Sequence, residues 1–311
     1  MSSTSDELTN NLSELPPEFD FVRDQQTPLP PPSTYTPLIR GGTFIVTGSN
    51  TGLGFEAARS LVATGAGKVI LAVRSQSKGD DAVSRIESAT GVKGIAEVWI
   101  LDMSSYDSIL AFAKRIGGLK RLDGVSENAA VAYDTFVSAD KGNEITNMVN
   151  VLGTLLLAGL LMPKLQDSAK KLGKTTYLSI VGSGVAFQND ARDELAQAAK
   201  SGVDIIDFFN DSSRGVPARY ALSKLLLLHA LRYYSRAHPP SATGVVINFV
   251  NPGLCITELD RNVNEETQKA LAGFRQQIGR TAEVGSRTLV HGLVGGEETH
   301  GTYVSECVPK E

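Results

Sequence analysis

Between Gly42 and Ser305, short runs of aliphatic and β-branched residues alternate with longer stretches whose apolar positions recur at helical spacing. The short runs are Thr43 to Thr47, Lys68 to Val73, Glu97 to Leu101, Asp123 to Ser126, Thr175 to Val181, Gly244 to Val250 and Gly301 to Ser305. Nearly continuous apolar runs of this length predict strands covered on both faces, as in a parallel sheet. Helical spacing falls on Gly54 to Thr64, Asp107 to Ile116, Glu144 to Ser168 and Pro217 to Ala237. Strand and helix in alternation predict an α/β fold, a doubly wound parallel sheet of about seven strands in a single domain.

Two segments break the alternation. Residues 1–40 are rich in Pro, Ser, Thr and acids, and Leu29-Pro30-Pro31-Pro32 favours extended polyproline geometry. They predict an N-terminal extension, read as a solvated leader in preference to an arm wrapped over the domain through Phe19, Phe21 and Tyr35. The catalytic domain then spans 41–311. Residues 184–219 form a long excursion after the fifth strand, with an extra helix expected around Asp193 to Lys200; insertions at that end of a parallel strand tend to wall the ligand crevice. The most apolar stretch, Val149 to Met162, is short for a bilayer, carries Asn150 and runs into Pro163-Lys164. It reads as a buried helix and not a membrane span.

Composition narrows the function classes. A hydrophobic fraction of 41% over 311 residues allows a large core, and a net charge of -4 with interspersed signs gives no basic stripe for nucleic acid. Cys255 and Cys307 lie far apart and outside metal-ligand spacing, so neither a disulfide framework nor a zinc site is expected. That usage, with a polar, acidic start lacking an apolar h-region, leads us to expect a cytoplasmic protein acting on small molecules.

The first predicted strand runs into Thr47-Gly48-Ser49-Asn50-Thr51-Gly52-Leu53-Gly54 and then a helix. Glycines allow a sharp turn and close approach to a pyrophosphate, and the new helix offers unpaired N–H groups at the positive end of its dipole. The order strand, glycine turn, helix identifies a Rossmann-type dinucleotide site, with Gly48, Asn50, Thr51, Leu53 and Gly54 as its first contacts. About twenty residues on, NAD-binding proteins place an acid for the ribose 2′-hydroxyl. Here Arg74, Ser75 and Lys78 occupy that place, and cations suit a 2′-phosphate, so NADP(H) is the expected cofactor. Asp102, followed by Met103, closes the third strand, where it can accept from the adenine amino group, cap the next helix, or do both.

Tyr220 and Lys224 stand four apart early in a strongly apolar helical stretch, so they share a face. A tyrosine with a pKa near ~10 is a poor acid–base group at neutral pH, and a neighbouring cation is expected to lower that value. With the glycine turn, Asn128-Ala129-Ala130, Asn150 in MVNVLGTLLL, Ser183, Pro252-Gly253 and Thr257, this pair resembles the short-chain dehydrogenase/reductase family over Gly42 to Ser305. ENAAV, VNPGLCITEL and THGTYVS are most similar to its extended fungal carbonyl-reductase-like and retinol-dehydrogenase-like members.

The resemblance implies an oxidoreductase in which Tyr220 exchanges a proton with a carbonyl or alcohol oxygen as hydride moves to or from the nicotinamide. Lys224 would tune Tyr220 and bind the nicotinamide ribose, Ser183 would orient the carbonyl, and Asn150 would hold a water linked to Lys224. Asn128 and Ala129 would border the adenosine ribose, while Pro252, Gly253 and Thr257 would hold the carboxamide end. Ser179, on the same strand, is a rival to Ser183. Ala130 replaces the family's glycine and Glu127 a second Asn, which puts the fit of the strand-four turn in question. The resemblance also suggests a homodimer or homotetramer and a place in fungal secondary metabolism.

The segment from Glu258 to Gly279 corresponds to the family's variable lid and is polar, so the pocket's apolar lining is expected from Val185, Phe187, Phe208, Phe209 and Leu254. The substrate expected is a moderately bulky ketone, aldehyde or alcohol. A nonredox isomerase, epimerase or cyclase on the same scaffold and a catalytically idle NADP-binding regulator are the competing readings.

Overall fold

The computed structural model describes residues 20–214 and 219–310. Eight strands, β1 (Thr43–Thr47), β2 (Lys68–Val73), β3 (Ala96–Ile100), β4 (Gly124–Glu127), β5 (Thr176–Val181), β6 (Val245–Asn251), β7 (Tyr303–Ser305) and β8 (Val308–Lys310), form one sheet. Its order is β3-β2-β1-β4-β5-β6-β7-β8, parallel up to β7, with β8 antiparallel at the edge. The order reverses between β1 and β4, which are direct neighbours with Ile45 paired to Val125. Diverging connections at such a point leave a crevice beyond the carboxyl ends of the strands.

Both faces of the sheet are buried, as the apolar runs require. Ile45, Ile70, Val125 and Leu178 point into one core, shared with Leu157, Leu161, Leu227 and Leu231. Phe44, Val46, Val69 and Leu71, one residue out of step, point into the other with Leu61, Leu289 and Leu293. A one-residue slip of register would exchange the two sets.

The eighth strand escaped prediction. Glu306 and Cys307 connect β7 to β8 with φ of 53° and 61°. Two-residue hairpins favour that left-handed geometry but normally advertise it with Asn-Gly or Asp-Gly. Here charge pairs accompany it: Glu306 is paired within the hairpin with Lys310 at 2.7 Å and lies 3.6 Å from the distant Arg280.

The apolar stretch does form a helix, but Pro163 does not end it. A π-helical turn at Asn147–Gly153 leads into a helix running from Thr154 to Leu172. Pro163 removes the N–H that would bond Gly159; Gly159, Leu160 and Pro163 are exposed, so water can serve that carbonyl. This Asn147–Leu172 unit is the one helix among the described residues long and apolar enough to cross a bilayer, yet 61% of its most apolar window is buried inside the fold.

Residues 20–40 are not a solvated leader. Helix α1 (Phe21–Gln26) and the chain after it lie against the domain, with Gln25, Leu29 and Ile39 buried and Tyr35 Oη 3.0 Å from His291 Nδ1. Phe19, proposed for the same wrapping, lies outside the described residues. Gln25 joins its amide to both the N–H and the C=O of Leu254, an anchoring contact between residues 229 apart that no local pattern announces.

Candidate active site

Beyond the strand ends lies a cleft of about 520 Å3. Its glycine-turn end is built by the junction of β1 with helix α2 (Gly52–Ala63). Gly48 and Gly52 have φ of 64° and 59°, open to glycine and strained for other residues. A Cβ on Gly54 would lie 2.6 Å from both Asn128 Nδ2 and the Gly48 carbonyl oxygen, so the helix can start this close to the strand only without a side chain there. Thr51, the N-cap, makes no side-chain capping bond, which leaves the first N–H groups of α2 directed at the cleft. Such a cradle suits a pyrophosphate: donors, positive dipole and room for close approach coincide.

Asn128 fixes the turn from the neighbouring strand. Its Nδ2 donates to the carbonyls of Thr47 and Gly48, while Thr47 Oγ1 accepts from the N–H groups of Asn128 and Ala129. Ala130 also borders the cleft. Glu127, by contrast, points away into the core; burial pushes its carboxyl well above the usual range, and neither oxygen has a partner among the described residues.

Gly48, Asn50, Thr51 and Leu53 border the cleft, whereas Gly54 is a packing residue behind the turn. Arg74 and Lys78 stand exposed at its rim, at the start of helix α3 (Gln76–Thr90). Neither side chain is ion-paired among the described residues. Asp102 and Met103 line the wall next to them. One oxygen of Asp102 accepts from Ser104 N and Oγ, and Ser105, not Asp102, caps helix α4 (Tyr106–Ile116).

The reactive end gathers Ser183, Tyr220 and Lys224. Ser183 follows β5, and Tyr220 and Lys224 rise one turn apart from helix α5 (Arg219–Ala237). The expected start of that helix at Pro217 lies outside the described residues. Ser183 hydrogen-bonds the phenol in the sense that favours its ionised form. Ser179, the rival, is buried behind the strand, where its Oγ would sit 2.2 Å from a Cβ on Gly292. Only one of the two serines therefore faces the cleft.

The electrostatics correct one expectation. Lys224 does not make Tyr220 acidic here: burial pushes the phenol up to about 12, with Ser183 and the Arg275 charge opposing it. Lys224 Nζ lies 5.7 Å from the phenol ring centre and donates to the Val181 carbonyl at 2.8 Å. Burial brings its own pKa down to about 8. The pair at neutral pH is thus a protonated phenol beside a largely protonated amine.

Asn150 lies behind this group, in the π-helical turn, and does not border the cleft. Its Oδ1 accepts from Val131 N, and its Nδ2 donates to Val131 O and to Ser223 Oγ. Both amide hydrogens are engaged and one lone pair remains for a water. The amide clamps the chain after β4 to the Tyr220 helix.

Pro252, Gly253 and Thr257 complete the wall after β6. Thr257 is not a cap, since the next helix, α6 (Glu265–Ile278), starts later and is capped by Asn264; its methyl group instead faces Gly52, whose Cβ would lie 3.6 Å away.

The apolar lining differs from expectation. Val185 and Leu254 do border the cleft. Phe208 and Phe209 are instead the core of the 184–219 insertion, packed with Ala186, Ala191 and Leu222, and Phe187 stacks edge-on against Tyr303 at 5.0 Å. The polar lid supplies the missing surface: Leu259, Val263, Leu271 and Phe274 turn inward, and Phe21 of the N-terminal arm stacks on Phe274 at 5.9 Å. Helical spacing of Leu271, Phe274 and Arg275 within the polar segment was the available signal, obscured by the charges around it.

A family profile described as short chain dehydrogenase matches residues 42–205. The chain belongs to the short-chain dehydrogenase/reductase family. Among its relatives, the short chain dehydrogenase/reductase dmxR8 of Cryptosporiopsis sp. is 41% identical over 86% of this chain and 82% of its own. The short-chain dehydrogenase anuD of Penicillium roqueforti is 36% identical over 97% and 80%. Among solved structures, the 3-ketoacyl-(acyl-carrier-protein) reductase of Brucella melitensis, complexed with NADH, shares the fold with a TM-score of 0.62 at 15% identity, over 85% of this chain and 96% of that one. The 3-oxoacyl (acyl-carrier-protein) reductase of Agrobacterium tumefaciens, with NADP bound, gives 0.60 at 17%, over 82% and 88%. This family of oxidoreductases is thus shared by fungal relatives along nearly the whole chain.

Proposed function

We propose that this short-chain dehydrogenase/reductase is an NADPH-dependent carbonyl reductase acting on a moderately bulky, partly apolar ketone or aldehyde. The observation that carries this reading is the Tyr220 phenol, hydrogen-bonded with Ser183 in the same cleft as the glycine cradle. The cradle accommodates a pyrophosphate, and the Arg74 guanidinium and Lys78 ammonium at the rim suit a 2′-phosphate better than a bare hydroxyl. NADPH bound there supplies a hydride to the carbonyl carbon.

This chain's residues do the remainder. Ser183 donates to the carbonyl oxygen and fixes its position; Tyr220 transfers its proton to that oxygen as negative charge develops, leaving an alcohol and a phenolate. The Lys224 ammonium, with donors beyond the one given to Val181, would hold the ribose hydroxyls, and the Ser183 hydroxyl favours the phenolate until it is reprotonated.

The experiment follows nicotinamide absorbance with a panel of ketones. Stoichiometric, multiple-turnover NADPH oxidation is expected, with turnover falling about 1000-fold in Tyr220→Phe. Unchanged turnover in that variant, or no oxidation of either dinucleotide with any ketone, would overturn the proposal.

A further inference from the structure

Part of the cleft wall comes from the N-terminal arm, outside the alternating strands and helices. Phe21, on helix α1, borders the cleft together with Leu254, Leu271 and Phe274. Its ring centre lies 5.9 Å from that of Phe274, with the two planes 13° apart. Carbon atoms in contact sit ~3.5–4 Å apart, so rings lying face over face would have closer centres; these two are slipped past each other. Both residues are only half-buried, and each keeps open surface that lines the cleft. Both are also held from behind. The arm is fixed by the two bonds of Gln25 to Leu254, by the Arg280 guanidinium, which donates to the carbonyls of Asp24 and Gln25, and by Arg287, which donates to the Leu29 carbonyl at 2.9 Å. Helix α6 has no fully buried residue, but Leu271, Phe274, Arg275 and Ile278 form one half-buried stripe along it. Arg275, 11% exposed, ties that stripe down by donating to Asp260 Oδ2 at 2.7 Å. The Arg275 charge also acts on the Tyr220 phenol, which sets this part of the lid over the reacting end.

We infer that Phe21 is a specificity-determining residue: with Phe274 it forms an aromatic wall against which a planar ring of the substrate packs while Ser183 and Tyr220 hold the reacting carbonyl. The substrate class is therefore a ketone or aldehyde that carries an aromatic ring, in preference to one with a saturated ring of the same size. Aromatic rings gain from offset or edge-on contact with one another beyond the area they bury, whereas a saturated ring gains from burial alone. Because the arm and the lid are fixed before the substrate arrives, little ordering of either is charged against that gain. This inference rests on the reductase reading, since it assigns the reacting carbonyl to Ser183 and Tyr220.

The test uses 4-phenyl-2-butanone and 4-cyclohexyl-2-butanone, which differ only in the ring and whose carbonyls, insulated from it by the same spacer, have the same intrinsic reactivity. For the full-length enzyme with NADPH, kcat/KM should favour the phenyl ketone about three- to tenfold. Phe21→Leu, which keeps apolar contact but no ring, should bring the preference below about twofold, and Phe21→Tyr, which keeps the ring, should retain it. Phe274→Leu should act like Phe21→Leu, so the wall is still tested if either variant fails to fold. Calorimetric titration of each ketone into the enzyme with NADP+, which has no hydride to give, should show the same preference and the same loss without turnover. Equal binding of the two ketones to the unmodified enzyme, or a preference that survives Phe21→Leu in a folded protein, overturns the inference. Absence of NADPH oxidation with every ketone would instead strike the reductase reading, and the calorimetric preference alone would then support or overturn the aromatic wall.

Discussion

The two ends of the cleft are made in opposite ways. At the glycine turn one uninterrupted stretch, Gly48 to Gly54, supplies the bend, the close approach and the helix terminus, and Asn128 braces it from the adjacent strand. At the substrate end the wall is assembled from Phe21, Leu254, Asp260 and Arg275, brought together by an arm whose Gln25 anchor spans 229 residues. The first end depends on backbone conformation, which a single Cβ can destroy. The second depends on many side-chain contacts, each of modest energy, so it can vary between relatives without endangering the fold.

The sharpest way to break this contrast is Gly54→Ala. Its new Cβ must displace the Gly48 carbonyl and Asn128 from 2.6 Å, and dinucleotide affinity should fall about 100-fold, as measured by titration of NADPH fluorescence. Retained affinity would mean that the turn is more pliable than its geometry suggests. Arg74→Asp sharpens the comparison at the rim of the same end: removing a charge-assisted bond and adding a repelling carboxylate should swing the preference from NADPH toward NADH by about 10–100-fold in kcat/KM.

Lys224→Met separates stability from chemistry. The folded-state value of about 8 lies below the unfolded value of 10.5, so between those pH values the unfolded chain binds more protons and stability rises with pH. Below pH 8 the native protein carries the full cost of the buried ammonium, on the order of 3 kcal/mol. The variant should lose activity yet unfold at a higher temperature at pH 7, an advantage that shrinks as the pH approaches 10. The smallest effect belongs to the distributed end: Gln25→Ala removes two bonds to Leu254 and should cost about 1–2 kcal/mol in denaturant unfolding, with a severalfold rise in substrate KM and little change in dinucleotide affinity.

What could be read in advance follows the same division. The strands, the glycine turn and the spacing of Tyr220 and Lys224 are local patterns, and each is where the sequence places it. Gly54 and Asn150 carried a signal too, although the structure sets both behind the cleft, one as a packing glycine and the other as a clamp on Val131. Phe208 and Phe209 misled because aromaticity reports burial and not what is buried against it; they fill the core of the insertion. Arg275 was hidden for the reverse reason, since a charged residue in a polar helix ordinarily faces solvent.

The chain by itself determined the alternating elements, the two-faced sheet and the glycine-dependent turn, because each rests on period, backbone freedom or residue spacing over a few positions. Tertiary structure alone decided that the N-terminal arm packs against the cleft wall, that burial raises the Tyr220 phenol instead of a neighbouring cation lowering it, and that Ser183 rather than Ser179 meets it. Those outcomes depend on burial and on contacts between distant segments, and desolvation has no magnitude until the surrounding atoms are in place.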